Sequence, residues 1–328
     1  MYRIFNTALK SKLALPELPE IAQLADSMSP ITLRSASRSF TSSEQPKWFN
    51  CWYQDAAKTE TWMKIARVKG QYLLRFTGQV DFMIDFERFV IRYKPFPDIP
   101  VETIRHLLLD QVLPRFMGHL GRLVLHASAV VLPDGSGITF LGKSGWGKST
   151  IASSFHSDGG RLVTDDTLLL DEVNGLLVGI PAYAGSRLWQ DSAETIFPDR
   201  TDLATVSHYS NKKRLILHDQ EDTSPEIAIN TIFLLSDPSD KPPRDGISIE
   251  PVRGKEAIMA MIGRAFLLDA SDMAVVARQF DTASRVTSTN PAVFSLNYPR
   301  EYHRLADLRE AVLEVVYQQR TSNRKAAS

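Results

Sequence analysis

The stretch Phe140-Leu141-Gly142-Lys143-Ser144-Gly145-Trp146-Gly147-Lys148-Ser149-Thr150 limits what this chain can fold into more than any other. It fits G-x-x-x-x-G-K-[ST], with Gly142 and Gly147 as the glycines, Lys148 as the lysine and Ser149 as the hydroxyl. Ahead of it, 137–141 reads as a short buried strand. Behind it, 149–155 reads as the first turns of a helix. In that setting the N–H groups of the loop and of the helix start point at an anion, and glycine lets the backbone approach without a Cβ clash. Lys148 then reaches the terminal phosphates, and the Ser149 hydroxyl ligates Mg²⁺. Lys143, Ser144, Gly145, Trp146 and Thr150 complete the expected nucleotide-binding set. An ordinary Gly-rich turn is the alternative. The pattern speaks for binding ATP or another triphosphate more than for what the phosphate is used for.

With 328 residues, the chain has room for a small and a larger domain. Its 38 basic and 38 acidic residues cancel, which argues against a nucleic-acid or anionic-membrane partner. Cys51 is the single cysteine, so no internal disulfide forms and a reducing compartment fits. The first residues lack the apolar core of a signal peptide, and no run approaches the ~18 apolar residues of a membrane span. A cytoplasmic location is the expectation, and a homo-oligomer is compatible with it.

Residues 1–97 read as a β-rich domain of open role. Tyr72–Phe76, Asp81–Asp85 and Arg88–Tyr93 look like an antiparallel meander. Trp48, Trp52 and Trp62 are either core or a ligand face. Lys94 to Pro100 is a proline-stiffened connector, and the second domain runs over 98–320, with 321–328 a disordered tail. Val101 to Met117 reads as a helix that Pro114 should bend or end. Arg122 to Leu132 is an apolar strand that Pro133–Gly137 turns into the strand before the glycine loop. That hairpin entry predicts a mixed α/β sheet rather than a doubly wound one.

Past the glycine loop, Asp158-Gly159-Gly160 ends the helix, and Arg161–Thr164 leads into Asp165-Asp166. Paired aspartates after an apolar strand are where a phosphoryl-transfer enzyme keeps its magnesium and catalytic carboxylates, a solvated turn being the alternative. Asn174-Gly175 marks a type I′ hairpin. Arg187 and Lys213 are candidates to clamp phosphate charge, or else surface cations. Thr201–Lys213 reads as a polar, mobile loop. His126 in its apolar strand is either a core residue or a phosphate neighbour.

Three segments together, Leu125-His126-Ala127-Ser128-Ala129, Gly142 to Ser149 and Arg161 to Asp166, resemble the core of the HPr kinase/phosphorylase family. The likeness covers about 121–235 and weakens toward the C-terminus. It implies a PEP-carboxykinase-like fold with the glycine loop in a mixed sheet, His126 beside the phosphates, Asp165 as base and Asp166 with Ser149 as metal ligands. The residues alone do not separate the two aspartates. The chain departs from the family by lacking its Glu-Ile-Arg-Gly signature and by carrying Thr150 where those enzymes have an acidic residue. It is therefore similar to an HPr-kinase-related group that includes lasso peptide kinases. The resemblance implies an ATP- and Mg²⁺-dependent serine kinase acting on a peptide or protein that bears an acceptor serine. A kinase of a small hydroxylated metabolite, or a nucleotide-binding regulator with little catalysis, are the alternatives.

Overall fold

Short alternating segments at the start of the chain build one sheet before any helix appears. A computed structural model describes the chain except residues 23–28, 42–45, 54–59, 184, 189, 198–203, 208–209, 217–225, 241–245, 290 and 328, and except the side chains of 185–187, 204–207, 210–216 and 322–327. The first strands are β1 (Tyr2–Ile4), β2 (Thr7–Ser11), β3 (Ile31–Ser35) and β4 (Trp48–Tyr53). The meander follows as β5 (Thr61–Val68), β6 (Gln71–Phe76), β7 (Val80–Asp85) and β8 (Val90–Pro95). All eight form a sheet in the order β1-β2-β3-β8-β7-β6-β5-β4, in which β3 runs parallel to both β2 and β8. The β1–β2 hairpin turns at Phe5-Asn6, both at positive φ, with no glycine or proline to announce it.

Residues 101–119 form one rod that Pro114 does not end. It runs as α1 (Val101–Leu107), a π turn (Leu108–Val112) and α2 (Leu113–His119). Proline removes one helical N–H and presses on the carbonyl four residues back; widening to π geometry just ahead of it relieves both. Ile104, Leu107, Leu108, Val112, Leu113 and Phe116 pack under Ile31, Ile65, Leu74, Phe82 and Ile91 of the sheet. The same apolar cluster continues into Val124, Leu169 and Ile180, so it runs on past the proline-rich connector.

The second sheet begins with the hairpin of β9 (Leu123–Val131) and β10 (Gly137–Leu141), as the sequence suggests. After α3 (Lys148–Ser157) come β11 (Arg161–Val173) and β12 (Leu176–Pro181), joined at Asn174-Gly175 with both residues at positive φ, as a type I′ turn requires. A small sheet of β13 (Gly185–Leu188), β14 (Ala204–Ser207) and β15 (Ser210–Ile216) has α4 (Gln190–Ile196) inserted after its first strand. The polar segment read as a mobile loop therefore lies largely in strands, because pairing with β13 satisfies its backbone where its side chains gave no apolar signal. The chain closes with β16 (Ile227–Leu235), β17 (Ser248–Pro251), α5 (Gly254–Ile262), α6 (Met273–Ser288), β18 (Ala292–Asn297) and α7 (Leu305–Ala327). Helix α7 runs through 321–327, the segment expected as a disordered tail; nothing there is Gly or Pro, so no residue stops it.

The order β10-β9-β11-β12-β16-β18-β17 has an extra parallel pairing of β10 with β16. Strands β10, β9, β11, β12 and β16 thus close on themselves, and the sheet is mixed. One face packs on α5 and α6 through Leu125, Ile232, Met261 and Val286. The other packs on α3 and α7 through a ladder of stacked rings, Phe155, Phe140, Phe233 and Phe294, with centroids 5.6 to 5.9 Å apart. Among the described residues no helix is long and apolar enough to cross a membrane.

Candidate functional site

The glycine loop leaves β10 between two paired strands and enters α3 at Lys148. Gly145 and Gly147 have φ of +82° and +92°, which side-chain-bearing residues rarely adopt. A Cβ at Gly147 would stand 2.5 Å from Tyr298 Oη, and one at Gly142 would crowd Leu235 and Trp146. Gly147 caps α3 and, having no side chain, offers the helix start no capping acceptor of its own. Lys148 is buried and donates to Lys143 O at 3.0 Å, across the loop.

Strands β9 and β11 bring the other motif residues to this loop. Their register sets Ser128 opposite Asp165, Ala127 opposite Asp166 and His126 opposite Thr167. Asp165 is 4% exposed, and its Oδ1 accepts a 2.6 Å hydrogen bond from Ser128 Oγ. Asp166 has φ +146°, and His126 Nδ1 lies 3.1 Å from its carbonyl and 3.3 Å from its Oδ1. Both aspartates lie inside a strand, so the solvated turn is excluded as their setting.

A cavity of about 370 Å³ opens here. His126, Ser144, Gly145, Gly147, Lys148, Ser149, Thr150 and Asp166 line it; Asp165 does not. Arg187 lies on β13 and Lys213 on β15, but their side chains fall outside the described residues. No cluster of three His, Cys, Asp or Glu side chains that could hold a metal unaided occurs among the described residues. Ser149 and Asp166 nonetheless bring two hard oxygen donors to the same cavity, the donor type that Mg²⁺ takes alongside phosphate oxygens.

The remaining wall comes from segments that carry no motif. Arg300 stacks on the Tyr298 ring at 3.6 Å and donates to Tyr298 O and Ser236 O. Burial lowers the Arg300 pKa and pushes Tyr298 up to about 12, yet a guanidinium keeps its charge. Opposite, Thr150 Oγ1 meets Ser192 Oγ at 3.4 Å, Ser192 meets Tyr302 Oη at 2.9 Å, and Tyr302 donates to Asp191 at 2.7 Å. Burial, then Asp191, raise the Tyr302 pKa. A chain of hydroxyls thus runs from Thr150 to the Asp191 carboxylate. In the sequence, Tyr298 and Arg300 are signalled only by the apolar strand Ala292–Asn297 that runs into them.

The sequence matches no protein-family profile, and no curated protein matches it significantly. Among solved structures, that of the Hpr(Ser) kinase/phosphatase from Coxiella burnetii aligns at a TM-score of 0.33 and 14% identity, covering 62% of this chain and 95% of that one. A TM-score of that size carries no functional argument.

Proposed function

We propose that the chain is a magnesium-dependent phosphotransferase that moves the γ-phosphoryl group of ATP onto a serine hydroxyl of a peptide or protein. The carrying observation is that Lys148, Ser149, Asp166 and His126, from three separate segments, line one cavity at the start of α3. In this reading the triphosphate lies along the glycine loop, its charge met by loop N–H groups, Lys148 and Arg300. Ser149 and Asp166 would hold Mg²⁺, whose chemistry is to neutralise charge on the phosphates. His126 positions Asp166. Asp165 serves as base; being 4% exposed, it takes a proton only from a hydroxyl inserted as deeply as that of Ser128. Arg187 is the candidate clamp on the transferring group.

Incubation with γ-labelled ATP and serine-containing peptides tests the reading. Label should move to peptide, Lys148→Ala should lower transfer by about 10²-fold or more, and Asp165→Asn should keep ATP binding while losing turnover. Label that moves only to small hydroxylated metabolites would replace the peptide acceptor. Full transfer by Lys148→Ala would sink the assignment.

A further inference from the structure

The hydrogen bonds that run from Thr150 to Asp191 have a direction. A carboxylate only accepts, so the Tyr302 hydroxyl gives Asp191 the one proton it has, at 2.7 Å. With that proton spent, Tyr302 accepts from Ser192 at 2.9 Å, and Ser192 in turn accepts from Thr150 at 3.4 Å. Every O–H in the row points toward Asp191. Thr150, Ser192, Tyr302 and Asp191 all line the cavity at the glycine loop, and what they have left to offer it is lone pairs.

Such a surface turns phosphate away, because phosphate oxygens are acceptors themselves. Carboxylate charge repels them as well, and Glu301 adds a second carboxylate to the lining. Donors and positive charge gather instead at the loop N–H groups, Lys148 and Arg300. The lining is thus divided by chemistry into a donor part and an acceptor part. Among the described residues the Asp191 carboxylate has no ion-pair partner, and Tyr302 gives it its one hydrogen bond.

A nucleoside triphosphate carries few donors to meet an acceptor surface. They are the sugar hydroxyls and, where the base is adenine, its amino group. The sugar follows the first phosphate directly, whereas the amino group stands at the far edge of the base. Asp191 is three hydrogen bonds away from Thr150, which sits in the first turn of α3. The sugar hydroxyls are the donors that fall to it. We propose that Asp191, held by Tyr302, accepts a hydrogen bond from the ribose hydroxyls, so that the site selects ribonucleotides over nucleotides lacking those hydroxyls. The proposal rests on the phosphotransferase reading for the presence of a nucleotide, and on the direction of the hydroxyl row for the sugar.

Calorimetric titration of the full-length protein, with Mg²⁺ present, compares ATP, 2′,3′-dideoxyATP, purine riboside triphosphate and inorganic tripolyphosphate. ATP should bind about tenfold or more tightly than the dideoxy compound, the worth of a hydrogen bond to a charged group. Purine riboside triphosphate, which lacks only the amino group, should bind as ATP does. Asp191→Asn and Asp191→Ala should hold ATP and 2′,3′-dideoxyATP equally, and Tyr302→Phe should lose part of the preference. Asp191 is exposed, and unchanged melting temperatures check that the variants are folded. Equal binding of ATP and its dideoxy analogue by the unaltered protein overturns the proposal. So does a preference that survives Asp191→Ala, or a loss that falls on purine riboside triphosphate instead, which would give Asp191 to the base. Tripolyphosphate separates the two readings: if it binds while the sugar goes unread, the phosphate site stands without this proposal. If neither it nor ATP binds, both fall.

Discussion

His126 Nδ1 stands 3.3 Å from Asp166 Oδ1, although strand alternation puts Asp166 on the face opposite its neighbours Asp165 and Thr167. Thr167 is the residue directly across from His126, so an ordinary strand would turn the Asp166 carboxylate away. The Asp166 φ of +146° accounts for the exception. A backbone of this kind costs a side-chain-bearing residue about 1–3 kcal/mol, and such strain gathers at sites where it serves a purpose.

The first prediction follows from that strain. Asp166→Gly should raise stability by about 1 kcal/mol in urea unfolding, because glycine is at ease at this φ, while phosphoryl transfer is lost. Asp166→Ala should lose transfer without the gain in stability. Equal stabilities for the two variants would refute the strain account.

The glycine loop carries the second. Gly147→Ala brings both the positive φ and a Cβ against Tyr298 Oη, so stability should fall by about 1 kcal/mol or more and ATP affinity by about tenfold. Adding Tyr298→Phe removes the hydroxyl and should restore part of the loss, leaving the backbone share. Calorimetric titration with ATP and thermal melts of the three proteins measure both effects.

Arg115 carries the third. It is buried between the Trp52 ring at 5.4 Å and the Phe266 ring at 5.2 Å; its hydrogen bonds go to Gln111, and its Nε has no partner among the described residues. Burial pulls its pKa down to about 10, which corresponds to roughly 3 kcal/mol of lost solvation. Two ring contacts offset part of this. Arg115→Met, which keeps the length without the charge, should therefore be more stable by about 1 kcal/mol in urea. A loss of stability would mean that the rings outweigh desolvation.

The fourth concerns pH. His119 stacks on Phe86 at 4.0 Å and meets Tyr72 edge-on, and burial holds its pKa below the ordinary 6.5. The unfolded chain takes up this proton as pH falls through 6.5, while the folded protein does not until lower pH. The folded state should lose stability across that window. His119→Phe should flatten the decline, as urea titrations at about pH 7.5 and about pH 5.5 would show.

What was legible divides along physical lines. The strand and helix on either side of the glycine loop, the β9–β10 hairpin and the Asn174-Gly175 turn are local patterns whose geometry is written in adjacent residues, and the structure has these elements where the pattern put them. Tyr298, Arg300, Ser192 and Tyr302 reach the cavity because β18, α4 and the start of α7 are packed there, and no neighbouring residue encodes that. Pro114 announces a local disturbance of the helix but not its form: the π turn that accommodates it buries Asp110 against His106 and Tyr183, the latter 73 positions away.

The closed ring of strands has a kinetic meaning for the glycine loop. Strand β10 is bonded along both edges, to β9 and to β16, so it has no free side from which to peel. Amide protons at Thr139, Phe140 and Leu141 should exchange with deuterium only when the whole second sheet opens. The glycine loop is therefore rooted at Leu141 in a strand that cannot peel away, which fixes the end from which the loop departs.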